Sequence, residues 1–444
     1  MFTDSISGKV LSQVQKLLWF SVGNLTMIAA STTVLANTNQ AGLTLPAAVE
    51  ITVRDNPGLA QMRSRYKALS EIPSQTGALP DPTISINAMN FPVTSFHRRQ
   101  DPMTQLQFGI TQTFPFPGTL GLKEDAAKFE ALAASHSVDE LRLQLIASVR
   151  KKWWQIYYLK HALDTVRSSQ GLLREFIQVA KTKYETGNGL QQDVLLAQLE
   201  LSRLLNQEIK VNAMTRMQAI ELNVLMDMPE NDSIVLSLDV GRSLPPLPAR
   251  EVFFEKAALS RPLLIQKNVE IQAASSRLKL AEKGTYPGFS VGVAYGDRRG
   301  DNPPPNNGSR DDFLSIMVGM KVPIYSSRKQ SRNIDQRASE LQMKQYSSQD
   351  TRGLVLGDIS SALTDYDRAR EEFSLFEKAI IPQASQTVQS MLAGYKVDEV
   401  DFLNLVRSQI TLLNYQLQYW KTFTEAKQSL AHLEAAVGEE TIYE

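Results

Sequence analysis

Two pairs of short segments alternate apolar and polar residues, with one pair in each half of the chain. In the first half the segments are 83–88 and 105–116, where apolar side chains alternate mainly with Thr, Ser, Asn and Gln. In the second half, 289–296 and 314–324 alternate in a similar way. A β-strand turns this alternation into two faces of different polarity. The pattern therefore predicts four strands, each with one apolar face.

The surroundings of the strands leave two interpretations. A half-buried hairpin of a soluble protein shows the same alternation as a membrane hairpin. Membrane hairpins are favoured because the strands have about the 9–11 residues that cross a bilayer and because the loops 91–102 and 297–312 are polar. Four strands would leave open edges, and unpaired backbone groups cost several kcal/mol each in lipid. We therefore expect several chains to close one barrel.

Two long helices are predicted, one in each half. The segment 122–184 contains no proline. Its apolar stripe is predicted from residues that recur at threes, fours and one seven: Val138, Leu141, Leu145, Val149, Ile156, Leu159, Leu163 and Val166. At ~1.5 Å per residue the segment spans roughly 95 Å. The segment 328–395 is similar apart from Pro382, which aligns with Gly171 of the first half. Sideways coiled-coil packing is also expected, because the helices must pack together to form a wall.

Shorter helices complete each half. Helices at 191–226 and 402–437 are predicted to return along the long helices. Helices at 46–79 and 249–282 are predicted to lead into the strands. We expect each returning helix to pair end to end with a leading helix.

The order of these elements is the same in both halves, which predicts an internal repeat. Pro57 aligns with Pro262 at an offset of 205 residues, and Tyr184 aligns with Tyr395 at 211, so the offset grows only slightly along the chain. The predicted divisions are a first repeat at 37–242, a Pro-rich linker at 243–248, a second repeat at 249–437 and a C-terminal tail at 438–444.

The N-terminal residues are typical of an exported protein. Lys9 and Lys16 precede a mostly apolar run at 17–30, and small residues follow at 34–36. Residues 1–36 are therefore predicted to be a signal peptide. A membrane anchor is the alternative, although the run is shorter than the ~20 apolar residues that a spanning helix needs.

Composition removes several classes of function. The chain has 444 residues and no cysteine, which excludes disulfide scaffolds, Cys-based metal sites, thiol nucleophiles and lipoprotein acylation. The 47 basic and 47 acidic residues balance, which argues against a nucleic-acid partner. The four histidines lack metal-ligand spacing: His97, His136, His161 and His432. With no phosphate loop or nucleophile motif, we predict no enzyme activity, catalytic residue, metal site or cofactor.

These features together resemble the TolC family of outer-membrane efflux channels. The resemblance rests on the signal segment, the two-stranded repeats, the Pro-rich linker and a repeated Tyr-x-x-Gly…Gln-x-x-Leu helical turn. Within the family, segments 78–82, 90–92, 103–105 and 112–118 are similar to the CzcC- and CusC-like branch that serves heavy-metal resistance pumps.

The resemblance implies a mainly α-helical chain with a transmembrane β-barrel portion. Four strands per chain would close as a twelve-stranded barrel in a homotrimer, in contact with outer-membrane lipid and continued by a helical tunnel across the periplasm of a Gram-negative bacterium. Implied partners are a periplasmic adaptor and an inner-membrane RND pump. The implied function is an exit channel for substrates, with heavy-metal cations expected. Drug efflux, type I protein secretion and, more remotely, a non-channel periplasmic coiled-coil structural protein remain alternatives.

The resemblance also assigns roles to the turns after the long helices. Tyr184 and Gly187 in the first repeat, and Tyr395 and Asp398 in the second, occupy the family's Tyr-x-x-Gly positions, which implies a periplasmic tip that contacts the adaptor. Asp398 replaces the usual Gly. Asp tolerates the left-handed backbone region better than most residues do.

Three charged residues beyond these turns are expected at the channel entrance. Asp401 matches the Asp of the family's Asp-Phe-Leu, and Asp193 lies in the corresponding region of the first repeat. Helix N-terminal capping explains both carboxylates equally well. Arg407 stands where many relatives have a second Asp, which weakens any acidic ring, and it could instead pair with a carboxylate.

Overall fold

A computed structural model describes residues 42–442 of the chain. The signal peptide predicted at 1–36 lies outside the described residues. The helices are α1 (Leu45–Asp55), α2 (Pro57–Ser70), α3 (Ile72–Gly77), α4 (Thr119–Glu185), α5 (Gln191–Leu225), α6 (Arg250–Ser260), α7 (Pro262–Lys283), α8 (Gln330–Leu375), α9 (Ile381–Lys396) and α10 (Phe402–Val437). The strands are β1 (Thr83–Met89), β2 (Gln105–Phe114), β3 (Gly288–Arg298) and β4 (Phe313–Lys321).

The long helix of the first repeat is continuous, as predicted. Helix α4 has 67 residues, or roughly 100 Å at ~1.5 Å per residue. It begins directly after Gly118, whose φ of 83° is a left-handed conformation that glycine adopts without steric cost. The turn at Gly118 therefore lets the chain pass from β2 into α4 within a few residues.

The long helix of the second repeat is interrupted by a π-helical turn at Phe376–Ile380. There the amide of Ile381 donates to the carbonyl of Phe376, five residues earlier. Pro382 follows at once and has no amide hydrogen for the regular helical bond. The wide turn thus lies immediately before the proline that the sequence singled out.

The leading helices are broken, so the prediction of single helices at 46–79 and 249–282 was wrong. Asn56 and Arg261 separate α1 from α2 and α6 from α7, and both have extended ψ angles, of 120° and 111°. A proline follows each of them, and its ring disfavours the helical conformation of the preceding residue. Glu71 separates α2 from α3.

The breaks provide the contacts for end-to-end pairing with the returning helices. The side-chain amide of Asn56 donates to the carbonyl of Leu225, the last residue of α5, over 3.0 Å. In the second repeat the Ser260 hydroxyl donates to the carbonyl of Val437, the last residue of α10, also over 3.0 Å. Each returning helix therefore ends against the break inside a leading segment, which agrees with the expected pairing of helix ends.

The four strands form one antiparallel sheet in the order β1-β2-β3-β4. Within the described chain, β1 and β4 are its edges. One row across the sheet is apolar and exposed on every strand: Ile84, Ile110, Val293 and Ile316. The next row carries small residues toward the opposite face: Ser85, Gly109, Ala294 and Ser315. The predicted division into an apolar and a more polar face is confirmed.

Two strands end earlier than predicted. Strand β2 ends at Phe114 and β4 ends at Lys321, whereas the alternation continued to 116 and 324. Pro115 and Pro323 explain the difference, because proline cannot donate a hydrogen bond to a neighbouring strand.

Several separate groups of buried side chains hold the helices together. One group is aromatic and lies at mid-length of α4: Trp153, Trp154, Tyr157 and, from α10, Phe423. Toward the start of α4 the predicted stripe was partly wrong, because Leu141 and Leu145 are only half-buried while Leu143 and Ile146 are buried. Alanines such as Ala134 are also buried there and leave room for neighbouring helices to approach. Within residues 42–442, no helix has both the length and the apolar content needed to span a bilayer.

Candidate functional site: the paired turns

The turns at 183–193 and 395–402, called the paired turns below, lie next to each other. The ends of four helices, α4, α5, α9 and α10, meet there around one buried core, which includes Ala180, Ala197, Tyr395 and Phe402. The two turns that the sequence placed 211 residues apart are therefore neighbours within one chain.

Both turns use the same backbone geometry. Gly187 has a φ of 78° and its amide donates to the Tyr184 carbonyl over 3.1 Å. Asp398 has a φ of 65° and its amide donates to the Tyr395 carbonyl over 3.4 Å. Asp398 thus takes the left-handed conformation of the glycine position, where the short polar side chain of Asp is tolerated.

The two tyrosines of the motif occupy different environments. Tyr184 is 48% exposed, whereas Tyr395 is only 4% exposed and packs 5.0 Å from the Phe402 ring, between centroids. The Tyr395 hydroxyl donates to Asp193 in the first repeat over 3.4 Å. Burial, followed by the negative charge of Asp193, raises the pKa of Tyr395 to about 12. Tyr395 is therefore a protonated donor that connects the two repeats.

The carboxylates predicted at the entrance come close to each other. Asp193 is half-buried in the first turn of α5, and Asp401 is exposed just before α10. Burial is the main cause that raises the pKa of Asp193, and the negative charge of Asp401 adds to it. The bond from Tyr395 and the positive charge of Lys183 oppose these effects.

Side-chain capping does not account for either carboxylate. Asp401 is the N-cap residue of α10 and has the extended backbone of a cap, with φ −69° and ψ 142°, but its side chain makes no capping bond. The N-cap of α5 is Leu190, so Asp193 lies inside the helix. What is left of the capping interpretation is electrostatic. The helix dipole stabilises a negative charge at the start of each helix.

Arg407 forms no ion pair with any of the residues that the structure describes. It is exposed on α10, and no carboxylate of the described residues lies within ion-pair distance of its guanidinium group. The expected pairing of Arg407 with a carboxylate is thus not formed inside one chain.

Lys183, which the sequence did not single out, completes the cluster. Its ammonium group donates to the Asp398 carboxylate and lies 5.0 Å from the centroid of the Tyr395 ring. In the sequence, Lys183 belongs to a polar run beside Lys181, which is typical of a solvated helix face. Only its position directly before Tyr184 could have drawn attention to it.

No metal-binding arrangement is present among residues 42–442, where no three His, Asp or Glu side chains are grouped around a common point. His161 instead stacks on Trp420 with 3.6 Å between ring centroids. Burial lowers the pKa of His161, so its imidazole is held neutral as an aromatic packing group.

Comparison with known sequences identifies one family. The family model "Outer membrane efflux protein" matches residues 50–226 and 254–439. The chain is 22% identical to outer membrane protein TolC of Vibrio cholerae serotype O1, with 70% of this chain and 72% of that protein covered. It is 24% identical to outer membrane efflux protein BepC of Brucella suis biovar 1, with 69% and 62% covered.

Two solved structures show the same fold at low identity. VceC of Vibrio cholerae superposes with a TM-score of 0.74 at 17% identity, covering 89% of this chain and 96% of its own. The channel-forming protein CusC superposes with a TM-score of 0.72 at 13% identity, covering 89% and 92%. Because the family model matches most of both halves, the chain belongs to the outer membrane efflux protein family, whose members lie in the outer membrane and extend into the periplasm.

Proposed function

We propose that three copies of this chain form the outer-membrane exit duct of a tripartite efflux system. The observation that carries the proposal is the four-stranded sheet, whose edges β1 and β4 have no partner strand within the described chain. Its outward row is apolar, with Ile316 72% exposed. Lipid would cover such a face, but it cannot satisfy the backbone groups of open edges. Pairing β4 of one copy with β1 of the next removes the edges, and three copies give twelve strands, enough to leave a lumen.

Exposed apolar side chains on the helices support the same assembly. Helix α5 carries a series of them at separations that are sums of threes and fours, which keeps them on one face of the helix: Leu195, Leu199, Ile209, Met217 and Val224. A helix with an apolar stripe is normally packed along that stripe. A second copy of the chain would bury it and extend the helical wall beyond one chain.

The paired turns supply the proposed partner surface and the entrance. Tyr184, Gly187 and Asp398 are exposed and suit contact with a periplasmic adaptor, which in turn docks on an inner-membrane RND pump. Tyr395 is buried, so its role would be to hold the turns together. Asp193, Asp401 and Arg407 would lie around the entrance once three copies surround a common axis.

The substrate proposal rests on short sequence motifs and on charged residues near the entrance. The short motifs shared with the heavy-metal branch and the two carboxylates favour metal cations, because a ring of carboxylates attracts cations in a pore. Arg407 opposes that preference. Organic-drug efflux is the second candidate, since the structural likeness to CusC is no greater than that to VceC.

Deletion of the gene tests the duct and its substrate together. The deletion strain and a strain complemented with the wild-type chain would be exposed to zinc, copper or a fluorescent dye, and the cellular content of each would be measured. Metal accumulation in the deletion strain alone supports metal export, and dye accumulation supports drug export. Equal contents in both strains for all three compounds would contradict an efflux duct for these substrates.

A further inference from the structure

A cavity of about 820 Å³ lies between the first leading helix and the middle of the helical wall. Its lining comes from α1, α2, α4, α10 and the residues that follow α10, and no residue of the paired turns or of the sheet contributes to it. The exposed side chains of Glu50, Arg54, Arg63 and Arg142 form its rim, so a molecule can enter from solvent. Ligand sites commonly measure roughly 300–1,000 Å³, which leaves room here for a small organic molecule.

The walls of this cavity are largely apolar. Three of the side chains lie on one face of α1, because residues four positions apart on a helix share a face: Leu45, Val49 and Val53. Helix α10 contributes Leu430 and Ala431, and α4 contributes Trp154. These walls favour the apolar body of a ligand, since covering them removes apolar surface from water.

Most charges around the cavity are compensated within the chain. Five basic side chains line it together with three acidic ones, Glu50, Glu434 and Glu440. Three ion pairs use most of them: Arg150–Glu434, Arg142–Glu440 and Arg54–Asp55. Both carboxylate oxygens of Glu434 are occupied, because the amide of Ile442 also donates to it over 3.3 Å. The negative charge of Glu50 acts on Arg54.

Two cations of the cavity have no carboxylate within ion-pair distance among residues 42–442: Lys427 and Arg63. The half-buried Lys427 donates to the Ser243 carbonyl over 3.2 Å and lies over the rings of Trp154 and Phe423, 5.9 and 5.8 Å from their centroids. Burial lowers the pKa of Lys427, although the negative charge of Glu434 opposes this effect. In such surroundings an ammonium group gains more from a bound anion than an exposed lysine does.

We propose that this cavity binds one amphipathic organic anion per chain, with the acidic group on Lys427 and the apolar body against α1 and α10. Arg63 attracts the anion at the rim. Every lining residue belongs to one chain, so the proposal does not rest on the duct function proposed above. Because α1 belongs to the first repeat and α10 to the second, the bound anion also connects the two repeats.

The test is isothermal titration calorimetry of the purified full-length protein in detergent. The probes are 2-naphthoate and the uncharged 2-naphthylmethanol, and titration of each into the same detergent without protein measures the heat of partition into micelles. We expect 2-naphthoate to bind at one site per chain. The alcohol should bind about tenfold more weakly, because it lacks the charge that pairs with Lys427.

Substitutions separate the head-group contact from the apolar walls. K427M should weaken the binding of 2-naphthoate about tenfold without weakening that of the alcohol, since methionine still packs on Trp154. K427R should retain most of the binding, because arginine keeps the charge. R63Q should weaken it only about threefold, because the rim is exposed. V53F should weaken the binding of both probes, because it narrows the apolar part of the cavity.

K421M is the matched control for the loss of a lysine from α10. Lys421 is exposed, pairs with Glu425 over 3.6 Å and does not line the cavity. The binding of 2-naphthoate to this variant should therefore equal that of the wild type.

The proposal would be overturned by equal affinity of the wild type for the two probes, or by equal affinity of 2-naphthoate for wild type, K427M and R63Q. Weakening by K421M as large as that by K427M would also overturn it. The melting temperature of each variant without ligand shows whether it is folded. If K427M is not, the two probes on the wild type and the exposed substitution R63Q still decide. Failure of the wild type to bind 2-naphthoate would contradict the site and leave the duct function untouched.

Discussion

Individual side chains at the paired turns have environments that the sequence indicates only in part. The left-handed conformation of Asp398 agrees with what was expected of an Asp in a glycine position. The burial of Tyr395 and the pairing of Lys183 were not foreseen, because their partners Asp193 and Asp398 are about 200 residues away in the chain. Spacing along one helix shows which side chains share a face, but not which distant helix covers that face.

Replacing Asp193 by Asn is expected to stabilise the folded protein at neutral pH. Burial raises the pKa of Asp193, so the folded state holds this proton more tightly than the unfolded state does. The ionised carboxylate therefore lowers stability at pH above its raised pKa, and this penalty disappears as the pH falls below the unfolded value of about 4. Asn keeps an oxygen that accepts the Tyr395 hydroxyl.

The measurement is the melting temperature of D193N and wild type in detergent from pH 7 to pH 4. D193N should melt higher at pH 7, by a degree or so, and the difference should shrink as the pH falls. If the difference in melting temperature stays constant over this range, the pKa of Asp193 is the same in the folded and unfolded states.

The helices and strands themselves were largely predictable, and the errors have identifiable causes. The strand faces follow from a two-residue period, and α4 follows from a long segment without proline. The broken leading helices were missed because each segment was predicted as one helix across its proline, although Pro57 and Pro262 were recognised as repeat markers. The restriction that a proline places on the residue before it ends α1 and α6 at these positions.

Replacing both Gly171 and Pro382 by Ala is expected to stiffen the long helices and reduce export. A Cβ at Gly171 would meet no atom within 4 Å, so Ala fits there and favours the helix by about 1 kcal/mol. Ala at position 382 restores the missing amide donor next to the π-helical turn at Phe376–Ile380.

Hydrogen exchange and cellular efflux measure the two parts of this prediction. Amides of Phe376–Ile380 should exchange about fivefold more slowly in the double variant, and efflux should fall while oligomer yield stays normal. Unchanged exchange and unchanged efflux would show that the π-helical turn is a static feature of the helix.

Replacing Ile316 or Val318 by Arg is expected to impair insertion and assembly. Both side chains are exposed on the apolar face of β4. An arginine on the lipid face costs roughly 2–4 kcal/mol near the bilayer midplane. Ser315 points to the opposite face of the same strand, so S315R is the matched control.

The yield of oligomer extracted from outer membranes should fall strongly for I316R and V318R and little for S315R. Equal yields from all three variants would indicate that the apolar row does not face lipid.

For the whole molecule, the central feature is that, within the described residues, the sheet has two unpaired edge strands and helix α5 has an exposed apolar stripe. The sequence indicated four strands but not their order, because the pairing of β2 with β3 joins segments from different repeats. That pairing combines the two hairpins into one sheet and places its only edges at β1 and β4 within the described chain. In the proposed assembly, pairing β4 of one copy with β1 of the next would join the sheets of three chains into one closed barrel.

The most direct test of whether three copies close the sheet is the mass of the detergent-solubilised particle, measured by native mass spectrometry. If three copies close the sheet, the protein should give one dominant species with three times the mass of the mature chain, and I316R should reduce it. A monomer that stays soluble and folded without detergent would contradict both the membrane placement of the sheet and the duct built from three copies.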